Sequence, residues 1–314
     1  MFAFVVKRLA SAIPTLLAVL TVIFLVIRVV PGDPAIAILG NNATAEAIAA
    51  LRERLGLDLP LYVQYLDFLA MIGRGDLGTS MVTGQPVLGL VQAVVPFTIE
   101  LTIASILIGI VLGLPIGAVA AVYRNTAIDY LARVGSLLGL SFPAFYTAIL
   151  MILVFSIDFG WFPVISRGLP LSDPIGRLHN LALPALSLGL IMVGYVARAS
   201  RSSMLEVLGE DYVRTAHAKG LSRRVVILRH VLRNALIPIV TVIGLYLGLL
   251  VGNSVLTEIV FNRPGLGKLI VEALSGRDYT LLQGLMVVFA FFIVLVNMLT
   301  DLTYGLIDPR VRYQ

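Results

Sequence analysis

The run Pro96-Phe-Thr-Ile-Glu-Leu-Thr-Ile-Ala-Ser-Ile-Leu-Ile-Gly-Ile-Val-Leu-Gly-Leu-Pro-Ile-Gly-Ala-Val-Ala-Ala-Val122 carries a single charged residue, Glu100. A helix needs roughly 20 mostly apolar residues to cross the hydrocarbon core of a bilayer, and this run exceeds that. It does not alternate polar and apolar residues as a barrel strand does. Gly109, Gly113, Pro115 and Gly117 lie inside it. Small residues let helices approach closely where lipid supplies no hydrophobic driving force between them.

Five further runs read the same way, at approximately Leu9–Val30, Leu131–Phe155, Leu181–Ala199, Ala235–Thr257 and Leu281–Tyr304. The expectation is an all-α, polytopic membrane protein with six transmembrane helices. Composition agrees: 59% of the 314 residues are hydrophobic and 13% charged, against about 25% charged in a soluble domain. The apolar runs leave too little chain for a separate soluble domain of ordinary size. Cysteine is absent, which excludes disulfides, thiolate metal sites and a cysteine nucleophile. The net charge of +5 fits basic loops at a membrane face, and no basic, aromatic-studded patch points to nucleic acid. Lys7 and Arg8 before the first run resemble the start of a signal peptide, but the apolar run is too long and five more follow, so it reads as an uncleaved anchor.

Basic residues set orientation. With the N-terminus inside, the inner segments hold Lys7, Arg8, Arg124, Arg133, Arg198, Arg201, Arg214, Lys219, Arg223, Arg224, Arg229, Arg233, Arg310 and Arg312, more than half of the 23 lysines and arginines. Both termini are therefore expected in the cytoplasm. Two loops are long. Pro31–Val95 is expected outside, with helix-like pieces at Ala45–Leu55 and Pro60–Ile72, Pro60 suiting a first helical turn. Its Gly73-Arg-Gly-Asp-Leu-Gly78 stretch reads as turns. It is either a packed cap over the outer mouth or a docking surface.

The other long loop, Arg201–Arg233, centres on Glu210-Asp-Tyr-Val-Arg-Thr-Ala-His-Ala-Lys-Gly220-Leu-Ser-Arg-Arg224. Asp211 can cap a helix and suits its positive end. Tyr212, Val213 and Ala216 share one face, while Arg214, Thr215, His217 and Lys219 complete the helix surface. Gly220 suits the left-handed residue that ends a helix, with Leu221 as the following apolar contact. Ser222 can cap a second helix, whose Val226 and Val231 side leads into the fifth span while it lies along the membrane. The residues leave two readings open: a helix gripped by a partner that transmits motion, or a basic surface resting on anionic lipid. Inside the spans, polar residues are candidates for function. Asn253, Ser254 and Glu258 cluster near the outer end of the fifth and are the candidate pathway or gate. Asn297 and Asp301 occupy the inner part of the sixth; Glu100 and Asp301 read more simply as interfacial or helix-packing residues.

The Asp211–Gly220 segment resembles the cytoplasmic signature loop of ABC-importer permeases. The general signature is Glu-Ala-Ala, three residues, Gly, nine residues, then Ile-x-Leu-Pro. Arg214-Thr215-Ala216 stands at Glu-Ala-Ala, Gly220 at the Gly and His230-Val231-Leu232-Arg233 at the last element, a poor match. The peptide-importer branch typically reads Asp-Tyr-x-Arg-Thr-Ala-Arg-Ala-Lys-Gly, then His-x-x-Arg-Asn-Ala, and the match to it is close; His217 replaces an Arg. The likeness runs along the chain through Lys7-Arg8-Leu9, Pro31-Gly32-Asp33-Pro34, Leu55-Gly56-Leu57 with Pro60-Leu61, Gly75-Asp76-Leu77-Gly78 with Ser80, Ser141-Phe142-Pro143, Phe261 with Pro264-Gly265-Leu266-Gly267, Arg277-Asp278-Tyr279 and Asp308-Pro309-Arg310. That group, the dipeptide, oligopeptide, glutathione and nickel importer permeases, implies a type I ABC importer permease fold. Residues 96–305 would be its five-helix transmembrane domain, 1–95 an added helix and extracytoplasmic loop, and 306–314 a cytoplasmic tail.

The resemblance implies a pore subunit of a bacterial inner-membrane importer of peptides or glutathione-like solutes, working by alternating access. Its implied partners are a second homologous permease, two ABC ATPase subunits and an extracytoplasmic solute-binding protein. ATPase coupling would rest on Asp211, Tyr212, Arg214, Thr215, Ala216, His217, Lys219 and Gly220. No Gly-x4-Gly-Lys-Ser/Thr loop is present: Gly267-Lys268 is followed by Leu269. ATP hydrolysis is then expected in other chains, and no catalysis, cofactor or metal in this one; His179, His217 and His230 have no metal-ligand spacing. The rival reading is an ion-coupled secondary transporter acting without ATPase subunits, which would need ionisable residues at mid-membrane; a membrane-embedded enzyme would need a convergent catalytic set.

Overall fold

The computed structural model describes the backbone of residues 2–29, 34–39, 43–54, 56–170 and 172–307, and side chains within 10–27, 35–36, 39, 43–53, 56–170 and 172–300. Pro31–Asp33, Leu55, the tail from Asp308 and the side chains of Lys7, Arg8 and Asp301, all read above, lie outside those residues.

The helices in chain order are α1 (Phe2–Val29), α2 (Pro34–Leu39), α3 (Ala45–Arg54), α4 (Leu61–Gly73), α5 (Val87–Val122), α6 (Ala127–Ser141), α7 (Ala144–Met151), α8 (Pro174–Leu208), α9 (Asp211–Ala218), α10 (Arg223–Val225), α11 (Leu232–Val260), α12 (Leu266–Ser275) and α13 (Tyr279–Ile307). Five stretches are long and apolar enough to cross a membrane, and a sixth is counted if one bent pair forms a single span.

That pair lies where the span Leu131–Phe155 is expected, and it is bent. α6 and the helix Ala144–Asp158 meet at 100°. The cause is Pro143. It has no N–H to continue the ladder, and its ring pushes the preceding residue out of helical conformation; Phe142 sits at φ −100°, ψ 132°. A correction concerns the helix expected to lie along the membrane before the fifth span. Arg223–Val260 is one helix of 38 residues, because Val226–Val231 passes through wide π-type turns instead of breaking. The fourth span also exceeds its expected limits. α8 runs 35 residues, starting where Asp173 accepts from the Gly176 N–H at 2.9 Å. At 1.5 Å per residue it is about 52 Å long, well beyond the roughly 30 Å hydrocarbon core.

The chain forms two compact units. The larger is built on Phe97–Pro264 and is joined by α13 from Val296. Here α8 is the central helix, with 15 buried residues from Leu181 to Met204. α5 runs parallel to it. A Cβ at Gly113 would stand 2.8 Å from the Val196 Cβ and 2.9 Å from the Val193 carbonyl oxygen, and one at Gly117 would strike Ala197 and Ser200. The glycines noted in the quoted run are thus where α5 meets α8 backbone to backbone. α6 and α11 run antiparallel to α8, through Asp129–Arg201 and through the Ser203 hydroxyl donating to the Ala235 carbonyl at 3.0 Å. α13 closes on α11, with Thr300 donating to the Gly244 carbonyl.

The smaller unit holds Val6–Pro96 and Gly265–Leu295. Phe24 of α1 meets Tyr65 edge-on at 5.3 Å and Phe68 at 5.7 Å. Pro60 precedes α4 at its cap position, φ −55° and ψ 141°, one residue before the expected first turn. Asp278 is buried and starts α13. It accepts from the Leu281 and Met81 N–H groups at 3.0 and 3.1 Å and from the Ser80 hydroxyl. Ser80 and Asp278, separate pieces of the resemblance, are one structural knot.

Candidate functional site

At the end of the larger unit where α8 stops, α9 follows at once. Glu210, in extended conformation, is its cap residue, and Asp211, expected in that role, opens the first turn. Val213 and Ala216 are buried in the same apolar cluster as Met204, Val226, Val231 and Ala235. These two side chains bolt the short helix onto α8 and onto the beginning of the long helix that becomes α11. The Tyr212 ring stays exposed, but its hydroxyl accepts from Asn234 Nδ2 at 2.9 Å, and the same nitrogen reaches the His230 carbonyl. Tyr212 is therefore a tie to α11, not part of the buried seam with Val213 and Ala216.

Gly220 ends the helix as expected, at φ +77°. Its N–H donates to the His217 carbonyl at 2.9 Å, and the Leu221 N–H reaches Ala216 at 3.4 Å. Leu221 remains 39% exposed. Ser222 stands at the next cap without a side-chain bond. Arg223 donates to the Val122 carbonyl at 3.1 Å and lies over the Tyr123 ring, tying the turn to the end of α5.

The opposite face of α9 is bare. Asp211, Arg214, Thr215, His217, Lys219 and Gly220 are all exposed. Arg214 reaches Asp211 at 3.4 Å with side chains 76% and 96% exposed, a solvated contact that holds neither in place. The helix is fixed on one side and presents acceptors, donors and charge on the other.

The candidate gate residues do not converge. Ser254 and Glu258 are fully buried one turn apart on α11. Ser254 donates to the Val251 carbonyl, and Glu258 accepts from the Thr98 hydroxyl at 2.7 Å. Asn253 lies on another face, half-buried, where it lines a cavity of about 230 Å³ with the Ser141-Phe142-Pro143 break, Tyr195 and Tyr246.

The far end of the same unit holds a cluster that sequence reading missed. Glu100 accepts from Arg177 Nε and from Arg263 Nη2, both at 2.7 Å. Arg263 is 1% exposed, and its Nη1 donates to Ser166. Both guanidinium groups lie over the Phe97 ring, at 5.4 and 5.7 Å. The only signal in the sequence was Glu100 itself, since its partners are 77 and 163 residues away.

These features define a polytopic α-helical membrane subunit. The chain belongs to the family of binding-protein-dependent transport system inner membrane components, whose model matches residues 113–313, while the model of that family's N-terminal part matches residues 1–102. The glutathione transport system permease protein GsiC of Salmonella typhimurium is 42% identical over 314 residues, covering all of both chains. The dipeptide transport system permease protein DppB of Alkalihalophilus pseudofirmus is 41% identical, again with full coverage of both. Among solved structures, a crystal form of the MetNI methionine ABC transporter, in an inward-facing conformation, superimposes with a TM-score of 0.60 over 70% of this chain and 97% of that one, at 20% identity. The type I ABC importer permease is therefore the fold of this chain.

Proposed function

We propose that this chain is the pore-forming, non-catalytic subunit of an ATP-driven importer for peptides or glutathione-like solutes, coupled to separate ATPase subunits through α9. The observation that carries this reading is the mounting of α9. Two buried side chains hold it to α8 and α11, while the residues of its polar face are exposed. A helix held in this way moves as a body with the two helices it joins, so force applied to its bare face reaches the membrane region.

In the full assembly a second homologous permease faces this one, two ATPase subunits grip the paired α9 surfaces, and a solute-binding protein delivers solute on the outside. Residues 96–305 form the five-helix transmembrane domain, 1–95 an added helix and outer loop, and 306–314 a cytoplasmic tail. Both termini lie in the cytoplasm, because α9 and its basic neighbours must face the ATPases. The solute path runs past Asn253, and Ser254 and Glu258 hold the half of α11 that lines it. The solute class follows from the relatives, named for glutathione and dipeptide transport.

The test is cross-linking in the purified assembly. A cysteine at Thr215 is expected to link to an ATPase subunit, and one at Glu46 to remain accessible from the outside only. A Thr215 cysteine that reacts with reagents outside the cell would overturn both the coupling and the orientation.

A further inference from the structure

A groove runs between α5, α6 and α8 in the larger unit. Its longer part, about 600 Å³, is walled by apolar and small residues, among them Ile116, Val119, Leu131 and Leu190. Ile116, Ala132 and Ser136 also wall a second cavity, of about 290 Å³, so the two adjoin. That second cavity is lined in addition by Arg133, Arg198, Arg201 and Ser202. Among the described residues, Asp129 is the only acidic one bonded to these arginines. It is fully buried, pairs with Arg201 through two bonds of 2.6 and 3.0 Å, and meets Arg133 at 3.4 Å. Arg198 is exposed and has no carboxylate partner among the described residues; its guanidinium lies 5.6 Å over the Tyr195 ring. Three arginines thus share one carboxylate, and two positive charges remain uncompensated at one end of an apolar groove.

The length of α8 places that end at a membrane interface. α8 is about 20 Å longer than the hydrocarbon core, and Arg198 and Arg201 stand in its last three turns. Free phosphate would satisfy the arginines but not the groove, and an acyl chain would fill the groove but leave the charge unanswered. A ligand with an anionic headgroup and an acyl tail matches both parts. We propose that this groove is a binding site for an anionic phospholipid, its phosphate held by Arg133, Arg198 and Ser202 and one acyl chain lying along Ile116, Leu131 and Leu190. Asp129 and Arg201 position the site by fixing the start of α6 against α8.

The test uses the full chain purified with its partner subunits in detergent, with dioleoyl-phosphatidylglycerol or dioleoyl-phosphatidylcholine added and bound lipid counted by native mass spectrometry. Phosphatidylglycerol is expected to be retained in preference to phosphatidylcholine. Arg198→Ala, which disturbs no buried group, is expected to cut that retention about fivefold, the loss of roughly one surface cation-lipid contact, while Arg198→Lys keeps most of it. Gly135 has open space where a Cβ would stand and lines the apolar part, so Gly135→Leu is expected to lower retention as well. Equal retention of the two lipids overturns the proposal. So does displacement of the lipid by excess inorganic phosphate with no effect of Gly135→Leu, which would mark an anion site only. Cross-linking of a Leu131 cysteine to a second permease subunit would mark the groove as a subunit interface and likewise overturn it.

Discussion

The two ends of the larger unit hold similar residue types and use them in opposite ways. At one end Glu100, Arg177 and Arg263 are joined by short ion pairs, and Arg263 is buried. At the other, Arg214 and Asp211 stand in solvent at 3.4 Å. A charge that folding has removed from water must be answered inside the chain, because its desolvation cost is large. A charge left in water has no such demand and is available to another molecule. The first end therefore holds the unit together, and the second leaves its charges in solvent.

The largest expected effect follows from the buried end. Glu100→Ala would strip Arg263 of the carboxylate that hydrogen-bonds it, with Glu258 its remaining acidic neighbour, and removing one partner of a buried pair costs about 3–5 kcal/mol. The expected outcome is a sharp fall in the melting temperature of the detergent-solubilised protein. Arg214→Glu is expected to leave that temperature unmoved. Equal melting temperatures for the two variants would erase the contrast.

The helix contact between α5 and α8 comes next. Gly113→Val would place a side chain where the Val196 Cβ stands 2.8 Å away, and overpacking of this kind costs about 1–3 kcal/mol. Reduced yield of intact protein after extraction checks it. A Gly75→Val control, in open space, is strained by its positive φ but meets no second helix, so it should spare the α5–α8 contact as read by a cysteine pair across it.

Much of this was legible in the sequence, and the exceptions have physical causes. Long apolar runs announce helices because the bilayer demands internally bonded backbone. Gly220 announced its own conformation, since few other residues adopt φ +77° at low cost. The bend at Pro143 could be placed from the proline but its 100° angle could not, because the angle depends on the surfaces that α6 and α7 pack against. The continuity of Arg223–Val260 was hidden because π-type turns leave no residue signature. Glu258 drew attention with Asn253 and Ser254 as a polar cluster on a span, and its hydrogen bond to Thr98, 160 positions away in the chain, could not be read from the sequence. Ion clusters such as Glu100–Arg177–Arg263 join helices far apart in sequence, and a single sequence holds no record of such pairs.

The smallest expected effect on stability falls on the α9 end, and it has the largest expected effect on transport. Gly220→Val forces a β-branched residue into left-handed backbone at a cost on the order of 1 kcal/mol or more, enough to redirect the turn after α9 without unfolding the spans. The measurement that tests the central claim is solute uptake, with ATPase-subunit content, in membranes carrying Gly220→Val or Arg214→Glu. The expected results are an assembled Gly220→Val complex whose ATP hydrolysis no longer responds to the loaded binding protein, and an Arg214→Glu chain that loses its ATPase subunits on purification. Wild-type uptake by both variants, with the normal complement of ATPase subunits, would contradict the assignment of α9 as the coupling element.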